Sequence, residues 1–130
     1  MKRVRFEPDD LQNALSGISD KEVNELMFGA IELDAKGTIL NFNQAESDLT
    51  GRKPEDVIGK NFFDDVAPCT RSNEFSGRFF EGVRTGSFNA QFEYVFDHEM
   101  TPTKVRIIMV KAIESNTYWL FIKRKLTDDR

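Results

Sequence analysis

The chain has 130 residues, enough for one ordinary domain whose core needs neither disulfides nor a structural metal. Its 22 acidic and 18 basic side chains leave a net charge of −4 with histidine neutral, which gives no electrostatic footprint for nucleic acid or an anionic membrane. One cysteine, Cys69, and one histidine, His98, exclude an internal disulfide framework and a zinc site built from these two residue types.

The basic start, Met1 to Phe6, has no apolar run behind it, so no signal peptide is predicted. Residues 1–28 read as a polar helical arm. Asp9 and Asp10 are expected to cap a short helix with Leu11, Leu15 and Ile18 along one side. Ser19-Asp20 is expected to open a second, with Val23, Leu26 and Met27 turned inward. Gly29 to Leu33 then reads as a strand, Asp34-Ala35-Lys36-Gly37 as a turn, and Thr38 to Phe42 as the returning strand.

Asn43 to Asp48 suggests a short helical turn broken at Thr50-Gly51. Pro54 suits the first turn of another small helix, which Gly59 ends. Asn61 to Ala67 adds a brief turn before Pro68. From Glu74 to Thr85, Phe75, Phe79 and Val83 recur every four residues, which predicts a single helix with Gly86 as its C-cap. Three strands follow. Phe88, Ala90, Phe92, Tyr94 and Phe96 alternate with polar residues in the first. The second, about Thr103 to Ile113, carries Val105, Ile107 and Met109 on one face and Ile108, Val110 and Ala112 on the other. A turn at Glu114-Ser115-Asn116 leads to the third, Thr117 to Lys125, and the tail from Thr127 is charged.

This order predicts an α+β domain with a five-stranded antiparallel sheet flanked by helices. Because the second late strand is apolar on both faces, both sides of the sheet should be covered. The internal helices are expected on one side and the N-terminal arm on the other. The longest apolar stretch, Ile107 to Val110, is far too short to cross a bilayer, and the expected location is cytoplasmic.

Conventional chemical motifs are absent: there is no phosphate-binding glycine loop, zinc-protease helix or calcium loop. His98, beside Glu99 at a strand end, reads as a solvated loop residue. Glu46 follows directly on an apolar strand end. It either faces solvent or points inward, where a carboxyl without a cationic partner would have a raised pKa and could donate a hydrogen bond or a proton to a buried anion. Cys69, between Pro68 and Thr70, is either a small buried hydrophobe or a reactive position in an irregular loop. Arg52 is a nearby charge that could close over this region. The aromatics Phe62, Phe63, Phe75, Phe92, Tyr94 and Phe96 are most simply core residues.

Four stretches resemble the photoactive yellow proteins, small blue-light receptors of the PAS (Per-Arnt-Sim) superfamily. They are Phe28-Gly29-Ala30-Ile31, Gly59-Lys60-Asn61-Phe62-Phe63, Asp65-Val66-Ala67-Pro68-Cys69-Thr70 and Met100-Thr101-Pro102-Thr103-Lys104-Val105. The resemblance covers essentially the whole chain. It implies p-coumaric acid held on Cys69 through a thioester, with Glu46 protonated and hydrogen-bonded to the phenolate. It also implies Thr50 in the same network, Arg52 closing the pocket, and the backbone N–H of Cys69 on the chromophore carbonyl. Phe62, Tyr94 and Phe96 would shape the pocket, and Met100 would assist thermal return to the trans state. Light would isomerise the vinyl bond, Glu46 would release its proton, and the arm would loosen.

The implied organisation is a helical cap over 1–28, a PAS-like photosensory core over 29–125 and a charged tail over 126–130. The implied partner is an unidentified downstream signalling protein, with no nucleic acid and no membrane, and the chain is expected to be a monomer rather than an enzyme. A PAS sensory domain that binds another small ligand is the alternative. Phe42 departs from the family, which commonly has a tyrosine there. The missing hydroxyl should red-shift absorption, with the Thr50 hydroxyl as the obvious compensator.

Overall fold

Asp34 organises the first hairpin: its carboxylate accepts from the backbone N–H groups of Lys36 and Thr38, both at 2.9 Å. Gly37, at φ 91°, supplies the left-handed residue of the turn. The computed structural model, which describes residues 4–86, 88–112 and 116–125, thus pairs β1 (Gly29–Leu33) with β2 (Ile39–Phe42). Three further strands follow, β3 (Asn89–Phe96), β4 (Thr103–Lys111) and β5 (Tyr118–Arg124). All are antiparallel neighbours in the order β2-β1-β5-β4-β3, the five-stranded sheet expected from the sequence. Ile113, Glu114, Ser115 and the tail from Leu126 lie outside the described residues.

Side-chain alternation divides the interior in two. Val105, Ile107 and Met109 of β4, with Leu120 and Ile122 of β5, face a large core filled by the internal helices. Ile108, Val110 and Ala112, with Trp119 and Phe121, face a second core closed by Leu11, Val23 and Phe28 of the arm. The sheet is therefore covered on both faces, and the arm lies where the patterning placed it. Gln12 ties the arm down by donating to the Lys111 carbonyl at 3.1 Å.

Inside the arm two expectations need correction. The helix α1 (Pro8–Leu15) is preceded by Glu7, not capped by Asp9 or Asp10, which sit in its first turn. Pro8 at the first helical position fixes that start, because its missing N–H needs no partner. Met27 is 96% exposed rather than inward. The second helix, α2 (Asp20–Asn24), stops before it, so helical spacing no longer governs where Met27 points. Ser19 does open α2, through a reciprocal capping box with Glu22.

The internal helices are α3 (Gln44–Thr50), α4 (Pro54–Val57) and α5 (Arg78–Thr85). The expected single helix from Glu74 is split: a π-helical turn, Asn73–Gly77, precedes α5. The Ser72 hydroxyl, accepting from the N–H of Phe75, caps that turn. Phe75 and Phe79 are buried, as their spacing predicted, while Phe80 is exposed. A second π-helical turn, Phe62–Val66, and a 3-10 turn, Pro68–Thr70, carry the chain past Cys69.

Candidate functional site

The centre of the site is set by Asn43, the N-cap of α3. Its Oδ1 accepts from the N–H groups of Glu46 at 3.0 Å and Ala30 at 2.9 Å. Its Nδ2 donates to the carbonyls of Val23 at 2.9 Å and Phe28 at 3.0 Å. One buried side chain thus fixes α3 on β1 and joins both to the arm. Gly51, at φ 76°, ends α3 with a left-handed cap.

So anchored, α3 turns Glu46 inward. The residue is 1% exposed, and its Oε1 has no hydrogen-bond partner. Burial raises the carboxyl from 4.5 to about 8, and the nearby Arg52 guanidinium only partly opposes this. Glu46 is therefore a neutral acid at pH 7, with a proton to donate. Phe42, the last residue of β2, lies in the same pocket and offers an aromatic edge where a tyrosine would offer a hydroxyl.

Around this acid the pocket is lined by Phe62, Val66, Ala67 and Phe96 as apolar walls, with Cys69 half-buried at one side. Arg52, His98 and Met100 form its cover. The Arg52 Nη2 donates to the His98 carbonyl at 2.8 Å, and Nη1 lies 4.0 Å from the Met100 sulfur. His98 joins the site chiefly through its backbone, a role its side-chain chemistry does not advertise. The Thr50 hydroxyl donates to the Glu46 backbone carbonyl at 2.9 Å and accepts from the N–H of Arg52 at 3.3 Å. Turning it into the pocket would break that helix bond.

Tyr94 is the one expected site residue outside the lining. Its hydroxyl donates to the Cys69 carbonyl at 2.6 Å, and with that proton committed it accepts from Ser72 at 2.9 Å. It holds the cysteine loop from behind, alongside Phe75, whose ring centroid is 5.1 Å away. Ser72, Val66 and Ala67 were not legible as site residues in the sequence. They are small or apolar, and only the irregular 62–72 segment brings them to Cys69.

The pocket volume is about 10 Å³, space for roughly one water. A planar aromatic acyl group needs more room than this. In kind, the residues fit such a group: aromatic walls, a thiol for a covalent bond, and an orphaned neutral acid to meet an oxyanion. Among the described residues no cluster of histidine, cysteine, aspartate or glutamate suits a metal ion. Nor is any described helix long and apolar enough to cross a membrane.

Residues 19–125 match the PAS fold family. The photoactive yellow proteins of Rhodothalassium salexigens and Halochromatium salexigens are each 56% identical over 124 residues, spanning 95% of this chain and 99% of the relative. Among solved structures, the photoactive yellow protein domain of the sensor histidine kinase Ppr from Rhodospirillum centenum superposes with a TM-score of 0.80 at 44% identity. That match covers 86% of this chain and 98% of the domain. Sequence likeness over nearly the full length, the shared topology and a pocket that joins Cys69 to a buried acid all agree: this chain belongs to the photoactive yellow protein family of PAS-superfamily photoreceptors.

Proposed function

We propose that the chain is a cytoplasmic, monomeric blue-light receptor in which the core over residues 29–125 senses light and the cap over 1–28 reports it to a separate signalling protein. The observation that carries this reading is the orphaned carboxyl of Glu46, buried in the pocket that also holds Cys69. When bound there as a thioester, p-coumaric acid supplies the visible absorption and a vinyl bond that light isomerises from trans to cis.

The rest is the work of the chain. Cys69 would hold the group: its sulfur would displace the activating group of an activated p-coumarate, a carbon–sulfur bond forming as that group departs with the electron pair. Tyr94 and Ser72 hold the cysteine loop while the Arg52–Met100 cover keeps water out. Glu46, held neutral by burial, would donate a hydrogen bond to the phenolic oxyanion and supply the proton that it takes up after illumination. That transfer leaves a carboxylate in an apolar interior, and an unpaired buried charge is expensive enough to drive rearrangement.

Asn43 points to where the rearrangement goes. Its side chain contacts Glu46 and Ala30 on one side and Val23 and Phe28 of the arm on the other. The arm is held to the sheet by Leu11, Val23 and Phe28, with its other apolar side chains only partly buried, so it yields first. With no hydroxyl at Phe42, the phenolic charge is less stabilised in the ground state and absorption lies to the red of a tyrosine-bearing relative.

Reconstitution with activated p-coumaric acid tests the assignment. A yellow protein whose mass rises by one dehydrated p-coumaroyl unit is expected, with colour and mass increment both lost in Cys69→Ala. An uncoloured product of unchanged mass would refute it. Amide exchange across residues 4–27 should rise on illumination, and equal exchange in light and dark would refute release of the arm.

A further inference from the structure

Gly29 opens β1 opposite Ile122 and is followed by two fully buried residues, Ala30 and Ile31. A glycine weakens such a strand, and its φ is not in the left-handed region, so the backbone itself does not ask for it. What asks for it is Glu46. A Cβ built on Gly29 would overlap Glu46 Oε1 and lie 3.1 Å from its Cδ and 3.2 Å from its Cβ. The oxygen it would strike is the one buried side-chain polar atom without a hydrogen-bond partner among the described residues.

The backbone that carries the carboxyl has little freedom to withdraw, so relief at Gly29 has to come from the carboxyl itself. Asn43 bonds the Glu46 N–H and the Ala30 N–H with the same oxygen, and the Asn43 N–H donates to the Ala30 carbonyl at 3.1 Å. The residue that carries the acid and the strand beneath it are therefore pinned together one position from Gly29. We propose that Gly29 is a positioning residue for the proton donor: its bare Cα is the seat that admits the Glu46 carboxyl to the dry side of the pocket and fixes where its proton is presented.

This rests on the photoreceptor reading only for its spectral consequence; the steric seat stands apart from it. A methyl group at 29 pushes the carboxyl toward the mouth of the pocket, nearer Arg52 and water. There it ionises more easily and meets the phenolic oxygen from a different place. Shortening the acid by one methylene restores the clearance. Replacing it with the equally long glutamine does not.

The test is made on the full chain, with chromophore attached for spectra and with urea denaturation for stability, using Gly29→Ala alone and with Glu46→Asp or Glu46→Gln. Expected are a displaced visible band and a shifted infrared carbonyl stretch of the protonated Glu46 in Gly29→Ala. The loss of denaturation midpoint caused by Gly29→Ala should persist beside Glu46→Gln and largely vanish beside Glu46→Asp. If Gly29→Ala alone fails to fold, recovery of folding in the Asp double variant supports the seat, and failure of both overturns it. An unshifted band and carbonyl stretch in Gly29→Ala, or an equal loss of midpoint beside Asp and Glu, also overturns it. A parent chain that takes up no colour would defeat the photoreceptor reading, while the midpoint comparison still decides the role of Gly29.

Discussion

Before chromophore attachment, Glu46 should make the chain less stable as pH rises through neutrality, and Glu46→Gln should abolish that loss. Its carboxyl titrates near 4.5 when exposed and at about 8 in the folded chain. Protons therefore favour the folded state. The contribution is full below pH 4.5, declines across the window between the two values, and is flat above pH 8. The slope approaches 1.36 kcal/mol per pH unit, so about 2.5 kcal/mol disappears between pH 5 and pH 7. With a urea m-value of about 1–3 kcal/mol/M, the midpoint should fall by roughly 1–2.5 M over that span.

Other groups titrate too. Glu22 and Glu93 are held below the ordinary carboxylate range, Glu22 chiefly by the Ser19 backbone N–H and Glu93 chiefly by its hydrogen bond to Lys125. Both are solvent-facing and remain in the glutamine variant. The difference between the two pH profiles consequently isolates Glu46. Urea melts of parent and Glu46→Gln at half-unit steps from pH 5 to pH 8 would measure it. Parallel profiles would refute the claim that the buried carboxyl is held neutral.

Phe42→Tyr should shift the dark visible band to the blue, because a hydroxyl bonded to an ionised acceptor is typically worth about 1.5–3 kcal/mol in the ground state; absorption spectra of the reconstituted variant check this. Arg52→Ala should move the Glu46 titration above pH 8, since the guanidinium is the one interaction that lowers it, and a carbonyl-stretch titration of the chromophore-free chain would show the direction. Tyr94→Phe removes the bonds to Cys69 and Ser72 and should cost about 1–3 kcal/mol in urea denaturation, the usual penalty for leaving such groups unpaired.

The sheet was legible because its signals are local. Asp34-Ala35-Lys36-Gly37 specifies the turn on its own, and the alternation in β4 assigns Ile107 and Ile108 to opposite cores. The direction of Glu46 was not legible, because α3 has only seven residues, too few for apolar spacing to orient it. Asn43 does so instead, by reaching 15 and 20 residues back to Phe28 and Val23. The π-helical turns at 62–66 and 73–77 escaped for a related reason. They shift the helical phase by one residue, and this is visible only once Phe63, Phe75 and Phe79 have packed together. Gly29 carried no sign of its purpose, since a glycine ahead of an apolar strand looks like a simple boundary.

The division of β4 by parity has a bearing on how such a receptor can diversify. Odd-numbered positions, Ile107 and Met109, belong to the compartment that contains the pocket; even-numbered ones, Ile108 and Val110, belong to the compartment under the arm. Neighbours along one strand therefore answer to different selective demands. Under the proposed reading, substitutions at odd sites would repack the core behind the light-sensing pocket, and those at even sites the core that holds the arm. Sensing and output would then be open to separate adjustment from the two sides of a wall one strand thick.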